Sequence, residues 1–130
     1  MFERILVPTD GSIYSLNAGK KAVHFAEKYS SKVIVTHIID QESTLPYSQL
    51  EDAAKEYIQK IIDYALEKEV KCESMIIYGS PEFDIMTLTR KSEADSIMIS
   101  VHGKDNSIKT IGSFTENIIE KIDLPIILVK

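Results

Sequence analysis

With one cysteine, three histidines and no run of basic residues, the chain has little to offer several common chemistries. Cys72 alone cannot form an internal disulfide, and in a chain of this kind it reads as a small buried filler. His24, His37 and His102 are scattered, so no zinc-spaced cluster arises. There is no group of five or six Lys and Arg, and the formal net charge of -5 gives no general attraction for a polynucleotide. The apolar runs fall far short of the ~18 to 20 residues of a membrane span. The opening MFERILVPTDGS lacks the basic, apolar and small-residue order of a secretory signal, so a cytoplasmic location is expected. No G-x4-G-K-[ST] loop occurs, nor a G-x-G-x-x-G fingerprint after the first strand, nor a G-x-S-x-G elbow.

What is present fits one globular domain over residues 1–130: 44% of the residues are hydrophobic and 27% are charged. No internal repeat, linker or low-complexity segment interrupts it. ERILVP at 3–8 reads as a buried strand, and Thr9-Asp10-Gly11-Ser12 as a turn. Residues 13–30 carry Leu16, Val23, Ala26 and Tyr29 at helical spacing, with Lys20, Lys21, Glu27 and Lys28 largely opposite. KVIVTHIID at 32–40 predicts a second strand, buried on both faces. After a connector containing Pro46, the positions Leu50, Ala54, Tyr57, Ile61 and Ala65 mark an amphipathic helix over 49–68. A strand at 71–78 leads to Ser80, a helix N-cap, and Pro81, suited to the first helical position. DSIMIS at 95–100 is a fourth strand, a helix runs from 113 to about 122, and PIILV at 125–129 is the fifth strand. Alternating strands and helices predict a doubly wound, mainly parallel α/β sheet with helices on both faces. If strand 1 lies beside strand 4, the Asp10 turn and the loop after strand 4 share a crevice at the strand ends.

That loop, SVHGKDNSIKTIGSFTEN at 100–117, is the stretch around which the chain is organised. Gly103 and Gly112 bracket it, Lys104 and Lys109 bring positive charge, and Ser113 with Glu116 has the S-x-x-E form of a capping box. A helix start there offers backbone N–H groups and partial positive charge to an anion the size of a phosphate.

ILVPTDGS, VTHIID, the 100–117 loop and the closing LPIILVK together resemble the universal stress protein family from end to end. The resemblance implies a five-stranded sheet of order 3-2-1-4-5, of the adenine nucleotide alpha hydrolase-like type. It also implies an ATP site marked by G-x2-G-x9-G-[ST] after strand 4. Carried onto this chain, Asp10 would accept hydrogen bonds from ribose hydroxyls, and Pro8, Thr9 and Ile38 would line the adenine pocket. Gly103, Gly112, Ser113 and Thr115 would form the phosphate loop, with Phe114 turned inward between the two hydroxyls. Two departures stand out. Ser100 occupies the first glycine position, where a positive φ would cost serine about 1 kcal/mol, and the gap between Gly103 and Gly112 is one residue short of the family pattern. The expected function is a regulatory ATP-binding protein of a stress response, with ATP ordering the loop for a protein partner and any Mg²⁺ arriving with the nucleotide. The alternatives are an interaction module that binds no nucleotide and a weak ATPase.

Other groupings suggest less. Ser100, His102 and Asp10 could converge as a hydrolase triad, although His102 better suits a solvated or phosphate-contacting role. Asp10, Asp40 and Glu42 could be drawn as a metal site, but Asp40 suits the turn that follows its strand. His37 reads as a satisfied, partly buried histidine and His24 as a surface one. Tyr47, Tyr57 and Tyr64 suit packing along one helix. The fifth strand would be an apolar edge, and an edge of this kind invites pairing with a second copy of itself, a contact the resemblance also implies.

Overall fold

The computed structural model describes residues 1–103 and 111–130. Its elements follow the expected alternation: β1 (Arg4–Pro8), α1 (Ile13–Tyr29), β2 (Lys32–Asp40), α2 (Tyr47–Glu67), β3 (Cys72–Gly79), α3 (Pro81–Ser92), β4 (Ser96–Ser100), α4 (Ser113–Lys121) and β5 (Ile126–Val129). The strands form one sheet of order β3-β2-β1-β4-β5, and each neighbouring pair runs parallel.

Strand alternation divides the core in two. Ile5 and Val7 of β1, with Val33 and Val35 of β2, face α1 and α2, where they meet Ala18, Ala22, Ile58 and Ile61. Leu6, Ile34, Ile38, Ile97 and Ile99 face the other way, onto Ile85 and Leu88 of α3 and Ile118 of α4. Each fully buried Ile or Leu stabilises the fold by about 1.5–3 kcal/mol, so the two layers together outweigh any exposed ion pair. Gly19 explains how closely α1 and α2 approach, since a Cβ there would come within 2.5 Å of Ile61 Cδ1.

The two ends of the sheet differ in character. At the N-terminal ends of the strands, the backbone N–H groups of Glu3 and Arg4 donate to the Asp95 carboxylate at 3.0 and 3.1 Å. Nearby, the Arg4 guanidinium bonds the Ser92 carbonyl and Glu73, which also pairs with Lys32 at 2.9 Å. Burial pushes the Asp95 carboxyl up, but those N–H donors and the Ser96 hydroxyl outweigh it and leave its pKa below the usual carboxylate range. This end is pinned by charge. The C-terminal ends carry the turns and loops, and there the sheet opens.

Three details depart from the sequence reading. Tyr29 is 59% exposed, because α1 ends with Ser30 in the left-handed region and the ring swings out against Phe25. α2 begins at Tyr47 with Pro46 at the N-cap, earlier than the hydrophobic spacing alone suggests. At α4 the N-cap is Gly112, with no described side chain capping it; Ser113 occupies the first helical position, too far along to act as the cap of its own S-x-x-E pattern.

Candidate functional site

β1 hands its chain to α1 on one face of the sheet, and the adjacent β4 is followed by α4 on the opposite face. Between two neighbouring strands whose connections leave in opposite directions a crevice must open at the C-terminal ends. A cleft of about 210 Å³ lies there.

Its first wall is the turn after β1. Pro8 and Thr9 are buried, and the Thr9 hydroxyl shares a 2.9 Å hydrogen bond with Ser15. Asp10 Oδ1 accepts from the Ser12 backbone N–H at 2.9 Å, fixing the carboxylate in an Asx turn. Gly11 takes a φ of +85°, in the left-handed region, and Ser12 caps α1 by accepting from Ser15 N at 3.1 Å. The turn therefore directs Asp10 toward β4: a Cβ placed on Gly103 would lie 3.6 Å from Asp10 Oδ2.

The second wall is the segment after β4. The Ser100 hydroxyl donates to the His102 carbonyl at 2.7 Å, and Thr115 in α4 donates to the Ser100 carbonyl at 2.8 Å. Gly112 N–H donates to the Val101 carbonyl at 2.8 Å. These bonds bring the start of α4 against the end of β4. Gly103 and Gly112 meet so closely that a Cβ on Gly112 would fall 2.9 Å from Gly103 N. Ser100 is absent from the residues with positive φ, so serine sits at the first loop position without backbone strain. The first turn of α4 ends against this cleft, and its Gly112 N-cap has no described side-chain capping hydrogen bond, an arrangement that favours an anion.

The third wall is apolar and comes from β2 and α3. Ile38 lies opposite Ile85 and Leu88, with Pro81 at the mouth and Phe114 packed into the same core layer. His37 is half-buried, its Nδ1 2.7 Å from the Thr9 carbonyl and its ring edge-on to Tyr57.

Pro8, Thr9, Asp10, Ile38, Ser100, Gly103, Gly112, Phe114 and Thr115 thus all border one cleft. Ser113 does not; it is exposed at the start of α4. The Thr115 hydroxyl, expected as a donor to an anion, gives its hydrogen to Ser100 instead. Lys104 and Lys109 lie outside the described residues. Sequence reasoning missed Ser15, Thr36 and the α3 wall. The available signals were Thr36 interrupting the apolar run of β2, and the i, i+3 spacing of Ile85 and Leu88 directly after the Ser80-Pro81 helix start.

The competing groupings come apart. Ser100 bonds the His102 backbone carbonyl, while the His102 ring lies against Tyr14 at 5.2 Å between centroids, so no Ser-His relay forms. Asp40 Oδ1 accepts from Glu42 N in its own turn, and no group of metal-binding side chains occurs among the described residues. Burial, with the neighbouring Glu73 charge, pushes the Cys72 thiol up to about 11, which keeps it protonated and unreactive. No helix among the described residues is long and apolar enough to cross a membrane.

The fold and cleft define an open, doubly wound α/β protein with a crevice at its switch point. The universal stress protein family model matches residues 1–130, and the chain belongs to that family. Universal stress protein MJ0531 of Methanocaldococcus jannaschii is 27% identical, covering 100% of this chain and 83% of its own. Universal stress protein MJ0577 of the same organism is also 27% identical, over 100% of this chain and 96% of its own. The MJ0577 structure superposes with a TM-score of 0.86, at 29% identity, covering 100% and 96% of the two chains. The universal stress protein of Archaeoglobus fulgidus in complex with dAMP shares the fold, with a TM-score of 0.79 at 21% identity and 100% coverage of both chains.

Proposed function

We propose that this chain binds ATP in the switch-point cleft as a regulatory ligand. The observation that carries the reading is the close meeting of Gly103 and Gly112 beneath the start of α4, with the Asp10 carboxylate facing Gly103 across the cleft. A side chain on Gly112 would drive Gly103 away from the start of α4, where backbone N–H groups can meet an anion. Asp10 accepts from ribose hydroxyls, Pro8, Thr9 and Ile38 contact the base, and the N–H groups around Gly103 and Ser113 hold phosphate. Mg²⁺ arrives on the triphosphate, bound mostly by phosphate and water. The dAMP complex of the Archaeoglobus fulgidus relative supports a nucleotide in this fold. Bound ATP then changes the surface that the cleft mouth offers to a protein partner.

Asp10→Ala tests this directly. Removing hydrogen bonds to a charged acceptor should weaken ATP binding about thirtyfold in calorimetry. An unchanged affinity would take the ribose away from Asp10 and the nucleotide away from this cleft.

We further propose a homodimer through β5, cytoplasmic in location. β5 is the outer strand of the sheet beyond β4, and Leu128 on it is 41% exposed. Antiparallel pairing of two such edges satisfies both sets of backbone groups. Ile127 packs half-buried onto the α1 side of the core, so Leu128 is the better position to disturb. Leu128→Lys should convert the dimer to monomer in light scattering, and a dimer that persists would move the interface elsewhere.

A further inference from the structure

Among the described residues, one buried side-chain oxygen on a residue that lines the cleft has no hydrogen-bond partner. Thr36 lies within β2, fully buried, on the face that carries Ile34 and Ile38. Its backbone is accounted for, its carbonyl accepting from Thr9 N at 2.8 Å. Thr36 is among the residues that line the cleft, and its Oγ1, shielded from solvent, is the buried side-chain atom left without a hydrogen bond among the described residues. Neighbouring hydroxyls behave otherwise: Thr9 and Ser15 bond each other, and Thr115 bonds Ser100. A buried hydroxyl with no partner destabilises the empty fold, and a valine of the same shape would remove that cost. The flanking positions on this face are isoleucines, so an apolar residue is the simpler solution for packing. The hydroxyl therefore has a purpose outside the fold.

We propose that Thr36 Oγ1 reads the base of the bound nucleotide. This deepens the ATP-binding reading and rests on it. The apolar surfaces of Ile38, Ile85 and Leu88 surround this part of the cleft and suit the flat faces of a base. A base also carries a polar edge, which an entirely apolar pocket would leave unpaired. A threonine hydroxyl both donates and accepts, so it can meet a ring nitrogen or an exocyclic amine on that edge. The same atom that is unsatisfied without ligand becomes satisfied with it. Thr36 is thus a specificity residue for the base, separate from the Gly103 and Gly112 end that holds phosphate.

The test compares wild type, Thr36→Val and Thr36→Ser for ATP affinity by calorimetry and for melting of the nucleotide-free protein. Valine keeps the shape and removes the hydroxyl; serine keeps the hydroxyl and loses a methyl. We expect Thr36→Val to bind ATP about tenfold more weakly and Thr36→Ser to stay within about threefold of wild type. Nucleotide-free Thr36→Val should melt at least as high as wild type. Packing alone predicts the reverse order of affinities. Thr36→Val binding as tightly as wild type, Thr36→Ser losing as much as Thr36→Val, or nucleotide-free Thr36→Val melting several degrees lower would each overturn the assignment. If wild type itself ignores millimolar ATP, the ATP-binding reading has failed and the role of Thr36 falls with it.

Discussion

Gly112→Val should lower ATP affinity by at least about 100-fold. The cause is contact, since Gly112 has an ordinary φ of -69° that any residue can adopt. A Cβ at this position would sit 2.9 Å from Gly103 N and 3.3 Å from Gly103 Cα. Both are backbone atoms, and they cannot swing aside as a side chain would. Gly112 is also held from the other direction by its N–H bond to Val101. Relief of the clash must separate Gly103 from the start of α4, which spreads the N–H groups proposed to hold phosphate. Losing two charge-assisted hydrogen bonds at about 1.5 kcal/mol each gives the 100-fold figure. Calorimetric titration of the variant with ATP checks it. An affinity within about threefold of wild type would show that the two glycines do not form the phosphate cradle.

Gly11→Ala should destabilise the fold by about 2–4 kcal/mol, about half of it through one contact. The φ of +85° costs an alanine about 1–2 kcal/mol. In addition, a Cβ there would overlap the Tyr57 ring, which is backed edge-on by His37. For a chain of this size the sum corresponds to a fall in melting temperature on the order of 10 °C. A double-mutant cycle separates the two causes: Tyr57→Ala should cost less stability in the Gly11→Ala background than in wild type. Equal costs in both backgrounds would mean that the backbone conformation alone accounts for the loss.

Much of this architecture was legible because strands and helices alternate with unambiguous periods. KVIVTHIID has the two-faced apolarity of a central strand, and β2 does pair on both sides, with β1 and β3. The crevice was legible through topology, since placing β1 beside β4 brings Asp10 to Gly103. Other features were hidden for identifiable reasons. The S-x-x-E pattern at Ser113 marks a helix start without saying which residue is the cap, and close approach to Gly103 gives that place to Gly112. Ser100 looked like a defect in a glycine pattern, but its backbone needs no positive φ and its hydroxyl bonds the His102 carbonyl. The α3 wall depends on a helix crossing over β2, a tertiary fact that local spacing does not encode. Thr36 was visible as a polar interruption in an apolar run, yet only its surroundings reveal that the hydroxyl lacks a partner.

The most direct measurement of the central claim is native mass spectrometry of the freshly purified wild-type protein, followed by calorimetric titration of stripped protein with ATP. The account predicts adenine nucleotide bound to the purified protein and saturable ATP binding at one site per chain. Protein that arrives empty and gives no heat with millimolar ATP would contradict it. The cleft between β1 and β4 would then belong to an interaction module that binds no nucleotide.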